Sequence, residues 1–204
     1  MRFPTYSPSV DRAIQSLADS VRYAALGLAI QRLETEKVEG AFAELGVYQG
    51  VTSKFIHLQV PHRRLYLFDT FSGFPAEALE SSRDDRFRGT SQELVSRVIG
   101  DVTNVFFRPG YFPASAADVE HERFAFVMLD FDLHKSALDA FSFFYPRLVP
   151  GGYFFIHDFN SPESNRAISR AASEFMRDKP ELLIEIPDQW GSAVFRKGRV
   201  SGGG

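Results

Sequence analysis

Two short acidic groups follow apolar runs in this chain: Asp130-Phe131-Asp132 after Phe124–Leu129, and His157-Asp158 after Tyr153–Ile156. If the two runs are neighbouring strands, three carboxylates and an imidazole converge on one sheet edge. Carboxylates packed that closely repel one another, and a bound cation removes the cost. Magnesium is the expected ion, because it prefers oxygen ligands and keeps several waters. The competing reading has Asp130 and Asp158 cap the helices that follow. A further acid, Asp69, closes the run Leu65–Phe68, about 20 residues after a glycine turn, where one carboxylate can accept from both hydroxyls of a ribose. The turn is Glu44-Leu45-Gly46-Val47-Tyr48-Gln49-Gly50. Its Gly-x-x-x-Gly spacing lacks the third glycine that a pyrophosphate requires. A nucleoside without a diphosphate fits better, and S-adenosylmethionine is such a ligand, with its amino-acid end beside Glu44 and Gly46.

The elements that must position these groups read as an alternation. Ser9 to Glu34 carries apolar residues at three- and four-residue steps, so one amphipathic N-terminal helix is expected over about 9–36, with Ser9 as cap. Short runs at Ala41–Leu45, Leu65–Asp69, Asn104–Arg108, Phe124–Leu129 and Tyr153–Ile156 are apolar on both faces, as strands of a covered parallel sheet must be. Helices are expected between them at about 50–59, 92–99, 135–148 and 162–178, with Pro162 at an early helical position and Pro150-Gly151-Gly152 as a turn. Leu182–Ile186 and Gly191–Arg196 read as a closing hairpin. The fold class is therefore α/β, a Rossmann-like doubly wound seven-stranded sheet with an antiparallel last strand. The charged stretch 74–92 reads as a lid, 1–198 as a single domain, and 199–204 as a flexible tail.

Composition narrows the partners. The 204 residues are 44% hydrophobic and 24% charged, with a net charge of -3 and no cysteine. A thiolate nucleophile, a thiolate zinc site and a disulfide are excluded. A nucleic acid or an anionic membrane would need a basic surface, so neither is expected. No apolar run approaches the roughly 20 residues that span a bilayer. The start lacks a signal-like apolar stretch, and a cytoplasmic location with a small-molecule partner is the expectation.

Five blocks then carry a resemblance. Glu44–Gly50, Phe68-Asp69-Thr70-Phe71-Ser72-Gly73-Phe74-Pro75, Gly110-Tyr111-Phe112-Pro113, Leu129-Asp130-Phe131-Asp132-Leu133 and Tyr145-Pro146-Arg147-Leu148-Val149-Pro150-Gly151-Gly152 together resemble the macrocin O-methyltransferase (TylF) family, in order and spacing, from about Gly40 to Asp158. The resemblance implies a class I methyltransferase fold that uses S-adenosylmethionine and a divalent metal, usually magnesium, to methylate a hydroxyl, often on a deoxysugar of a natural product. It places Glu44, Gly46, Tyr48 and Gly50 of the first block at the cofactor, with Asp69, Thr70 and Phe71 of the second, and Gly110 and Asp130. The implied metal ligands are Asp130 and Asp158, with His157 beside them as a further candidate ligand or base, and the implied general base is Asp132.

His157 stands where the family pattern has the first of two aspartates. Three assignments stay open: a nitrogen ligand favouring manganese or zinc, a ring turned away from a two-carboxylate magnesium site, which is preferred, or a base in a metal-independent transfer, a role His134 could also fill. A non-catalytic nucleoside-binding protein would keep Glu44, Gly46 and Asp69 without needing the acidic cluster. His57, His62 and His121 are expected at the surface. Phe71, Phe74, Tyr111 and Phe112 could wall the pocket or join the core. Trp190 is expected to close the sheet or a subunit contact, and the N-terminal helix could form the face of a homodimer.

Overall fold

In the computed structural model the described residues are 6–73, 87–162 and 164–198. Most of the expected lid (74–86), Phe74 with it, and the tail 199–204 lie outside them.

Seven strands form one sheet: β1 (Ala41–Leu45), β2 (Leu65–Asp69), β3 (Val105–Pro109), β4 (Phe124–Leu129), β5 (Leu148–Ile156), β6 (Ile184–Ile186) and β7 (Ser192–Arg196). Their spatial order is β3-β2-β1-β4-β5-β7-β6. β1 to β5 pair in parallel, and β7 runs antiparallel to both β5 and β6. The expected doubly wound sheet with its closing hairpin is therefore observed. The chain order reverses between β1 and β4, and a crevice for ligands opens at the carboxyl ends of such strands.

Six α-helices cover the two faces: α1 (Pro8–Ser16), α2 (Ser20–Thr35), α3 (Val51–Gln59), α4 (Gln92–Ile99), α5 (His134–Phe144) and α6 (Ala167–Phe175). One face packs Phe124, Phe141, Phe144, Phe154 and Phe195 under α5 and α6. The other packs Leu26, Ile30, Leu33, Phe42 and Phe126 under α1 to α4. Burying such a side chain fully contributes roughly 1.5–3 kcal/mol. No helix among the described residues is long and apolar enough to cross a membrane.

Four expectations are corrected. The N-terminal helix is two helices, because the Asp19 carboxylate accepts from Arg22 N at 3.2 Å and caps a new start, while Ser7, not Ser9, caps α1. Pro150-Gly151-Gly152 is not a turn but part of β5. Gly151 N donates to Lys197 O and Lys197 N to Gly152 O, while the register with β4 jumps from Leu148 to Tyr153 across a bulge. α5 stops at Phe144, since Pro146 has no amide to continue it. α6 begins at Ala167, because Asn165 and Arg166 before it adopt left-handed backbone.

Candidate active site

The strand ends are tied edge to edge: Gly46 N donates to Phe68 O, Asp130 N to Leu45 O, His157 N to Leu129 O and Gly110 N to Asp69 O. This row of bonds holds the loops after β1, β2, β3, β4 and β5 at one level. Above them opens a cavity of about 230 Å³. Its polar wall includes Asp69, Thr70, Asp130, Asp132, His157 and Asp158; its apolar wall includes Tyr48, Phe87, Phe112, Phe131 and Leu133. Gly46, Gly110 and Tyr111 complete the side near β1 and β3.

Asp69 organises two loops at once. Its Oδ2 accepts from Val47 N at 2.7 Å and Tyr48 N at 3.0 Å, and its Oδ1 from Phe71 N at 2.8 Å. Tyr48 and Phe71 both have positive φ, a strain of about 1–3 kcal/mol each that the surroundings must hold. Asp69 supplies that restraint. A carboxylate offers roughly four acceptor positions; three are taken by these amides, and the Thr70 hydroxyl, 3.4 Å from Oδ1 but closer to Gly73 O at 2.6 Å, competes for the fourth, so at most about one is left for a ligand hydroxyl rather than the expected two.

The glycine turn is built differently from its expected role. A Cβ on Gly46, whose φ is +84, would lie 2.1 Å from Asp130 O, so this glycine is required by the β4 loop that crosses it. Gly50, at φ +79, faces Val95 of α4 and is not on the cavity wall. Glu44 lies beneath the turn, 1% exposed, and accepts from Ser53 Oγ. Burial pushes its carboxyl up to about 8, the Ser53 hydrogen bond opposing and Asp130 adding to the rise. Phe71 is buried against Phe107 and does not line the cavity.

Asp130, His157 and Asp158 bring ligand-type atoms within 4.8 Å of one another, the only such group among the described residues. His157 Nδ1 lies 2.8 Å from Asp130 Oδ1 and 3.3 Å from Asp158 Oδ1. Its Nε2 lies 2.6 Å from Arg22 Nη1, and Arg22 Nη2 donates to the Tyr23 hydroxyl. Burial and the Arg22 guanidinium oppose a charged ring while Asp130 and Asp158 favour one, and with Arg22 Nη1 against Nε2 the ring carries a single proton. His157 and Arg22 in turn hold the Asp130 carboxyl below its usual range against the upward push of burial. Arg22, on α2, is the residue that sequence reasoning missed; an arginine between apolar neighbours on a helix carries no motif.

A divalent ion does not fit this donor set as the resemblance implied. A guanidinium only donates, so Nε2 must accept from it and the ring's proton sits on Nδ1. A metal-binding imidazole has the reverse arrangement, a bare ligating nitrogen and an N–H held by an acceptor.

The other histidines stand apart. His134 begins α5 and faces Glu174 at 3.4 Å, off the cavity wall. His62 pairs with Glu34 at the surface and His121 is exposed, as expected. His57, expected at the surface, is buried in α3, which lowers its pKa. Tyr111 and Phe112 do line the cavity, and the Tyr111 hydroxyl bonds Ser136 Oγ at 2.8 Å. Trp190 stays half exposed outside it.

The model of the macrocin-O-methyltransferase (TylF) family matches residues 12–196. The chain is 27% identical over 172 residues to an 8-demethyl-8-(2,3-dimethoxy-alpha-L-rhamnosyl)-tetracenomycin-C 4'-O-methyltransferase of Streptomyces olivaceus, covering 74% of this chain and 64% of the relative. It is 28% identical over 171 residues to a mycinamicin III 3''-O-methyltransferase of Micromonospora griseorubida, covering 73% and 65%. It thus spans just under two thirds of these curated relatives. The fold superposes on the O-methyltransferase NovP with a TM-score of 0.68 at 20% identity, covering 94% of this chain and 80% of that one.

Proposed function

The chain belongs to the macrocin-O-methyltransferase family, and from that premise we propose that it moves the methyl group of S-adenosylmethionine to a hydroxyl oxygen of a small molecule. The acceptor class favoured is a sugar hydroxyl of a glycosylated natural product, as in the rhamnosyl-bearing substrate in its relative's name. The observation that carries the reading is the placing of Asp69, Asp130, Asp132 and Asp158 on one cavity at the point where the strand order reverses.

When bound, S-adenosylmethionine supplies an electrophilic methyl carbon on a sulfonium. The walls fit it: Asp69 keeps an acceptor for a ribose hydroxyl, and Tyr48, Phe87 and Phe112 offer apolar surface to a base. The acceptor oxygen forms its bond to the methyl carbon as the carbon–sulfur bond breaks, and the electron pair stays on sulfur. The hydroxyl proton passes to a carboxylate. Asp132 is assigned that role, since it faces the cavity, provided it comes within about 2.6–3.2 Å of the hydroxyl or one water away. His157 is a poor base here, with one nitrogen facing Arg22 and the other facing Asp130. Holding oxygen, carbon and sulfur in line can contribute about 7–11 kcal/mol.

The test is turnover with S-adenosylmethionine against a panel of glycosides bearing free sugar hydroxyls, read as S-adenosylhomocysteine by mass spectrometry. Asp132→Asn is expected to slow transfer by about 10²–10⁴-fold with S-adenosylhomocysteine affinity unchanged. A variant that keeps its rate removes Asp132 as base. A wild type that binds the nucleoside and methylates no hydroxyl supports a non-catalytic binding protein instead.

A further inference from the structure

We infer that this site takes no divalent ion: the positive charge that neutralises Asp130 and Asp158 is the Arg22 guanidinium, delivered from α2 through the ring of His157. The inference rests on the reading of the cavity as the methyl-transfer site. Its grounds are donor and acceptor geometry. Arg22 Nη1 lies 2.6 Å from Nε2, a contact that only a lone pair on Nε2 can satisfy. The proton left on Nδ1 points at Asp130 Oδ1, 2.8 Å away, with Asp158 Oδ1 at 3.3 Å. That N–H fills the space between the two carboxylates where an ion would have to lie.

The guanidinium also brings a permanent positive charge to this cluster, which it shares with Asp19, and that charge repels a second cation. Arg22 is itself fixed from behind: its Nη2 donates to the Tyr23 hydroxyl at 3.1 Å, and that hydroxyl bonds Thr52 Oγ1 at 3.0 Å. Asp19 lies 3.9 Å from its Nε. Arg22 thereby becomes a positioning residue, keeping His157 in the tautomer that holds Asp130 and Asp158 in place at the cavity wall.

The experiment is titration of manganese(II) into the protein saturated with S-adenosylhomocysteine, followed by the electron paramagnetic resonance of the free ion. Nucleoside binding is measured by calorimetry on the same samples, so loss of the cofactor reading is seen separately. Wild type is expected to take up no ion that Asp158→Asn abolishes. The double variant Arg22→Met/His157→Asp, with the guanidinium gone and an oxygen ligand in its place, is expected to bind manganese at least about 10–100-fold more tightly. Saturable uptake by wild type that is lost in Asp158→Asn overturns the inference. So does a double variant with a native circular dichroism spectrum and no gain in affinity. If the double variant does not fold, Arg22→Met alone, expected to gain affinity in the same direction, replaces it.

Discussion

A carboxyl that is 1% exposed ionises at a cost, and Glu44 illustrates the consequence for stability. Its pKa in the folded chain is about 8, against an ordinary value of 4.5. The folded state therefore holds a proton that the unfolded chain releases between these values. The stabilisation this gives is complete below pH 4.5 and is lost as the pH rises through 8, at up to about 1.4 kcal/mol per unit. Glu44→Gln, which cannot ionise, is expected to raise the melting temperature relative to wild type at pH 8 and to leave it nearly unchanged at pH 5. Equal shifts at both pH values would show that Glu44 is ionised in the fold. Asp69 is used differently, accepting from three backbone amides. Asp69→Ala leaves those donors without it and is expected to cost about 1–3 kcal/mol by denaturant unfolding, with loss of nucleoside binding. Strand-end acids were legible because an acid closing an apolar run has few structural excuses. What Asp69 does with its oxygens was not, since its partners are amides of two loops. Arg22 was invisible for a related reason: helical spacing says which face it shares and nothing about the loop 135 residues away that it reaches.

At the scale of elements, the loops after β1 and β4 act as one piece because they touch at Gly46. Two glycines separate backbone strain from contact. Gly100, at φ +90, has nothing within 4 Å of a built Cβ, whereas at Gly46 the Cβ meets the Asp130 carbonyl at 2.1 Å. Gly100→Ala is expected to cost about 1–3 kcal/mol, the strain alone. Gly46→Ala is expected to cost about 4 kcal/mol or more, because β1 and β4 cannot both keep their register. Similar losses for the two variants in chemical denaturation would show that the loops yield independently. The strands were readable from apolar runs flanked by turns, and the helix breaks were not. Asp19 looks like one more polar position on a helix face until its carboxylate is seen capping Arg22 N. Pro150-Gly151-Gly152 has the composition of a turn, yet the bulge and the pairing of Gly151 and Gly152 with Lys197 carry it inside β5.

For the whole molecule, the cavity joins loops from both halves of the sheet, β1 to β3 on one side of the reversal and β4 and β5 on the other. A ligand spanning them binds only the folded chain. At 100 times its dissociation constant it adds about 2.7 kcal/mol to stability. For a chain of 204 residues that predicts a rise in melting temperature of roughly 5–11 °C with S-adenosylhomocysteine. Isothermal calorimetry tests whether this cavity holds the nucleoside at Asp69. One S-adenosylhomocysteine is expected to bind per wild-type chain and none to a folded Asp69→Ala variant. Absence of binding by wild type, or equal binding by the variant, would contradict that placement.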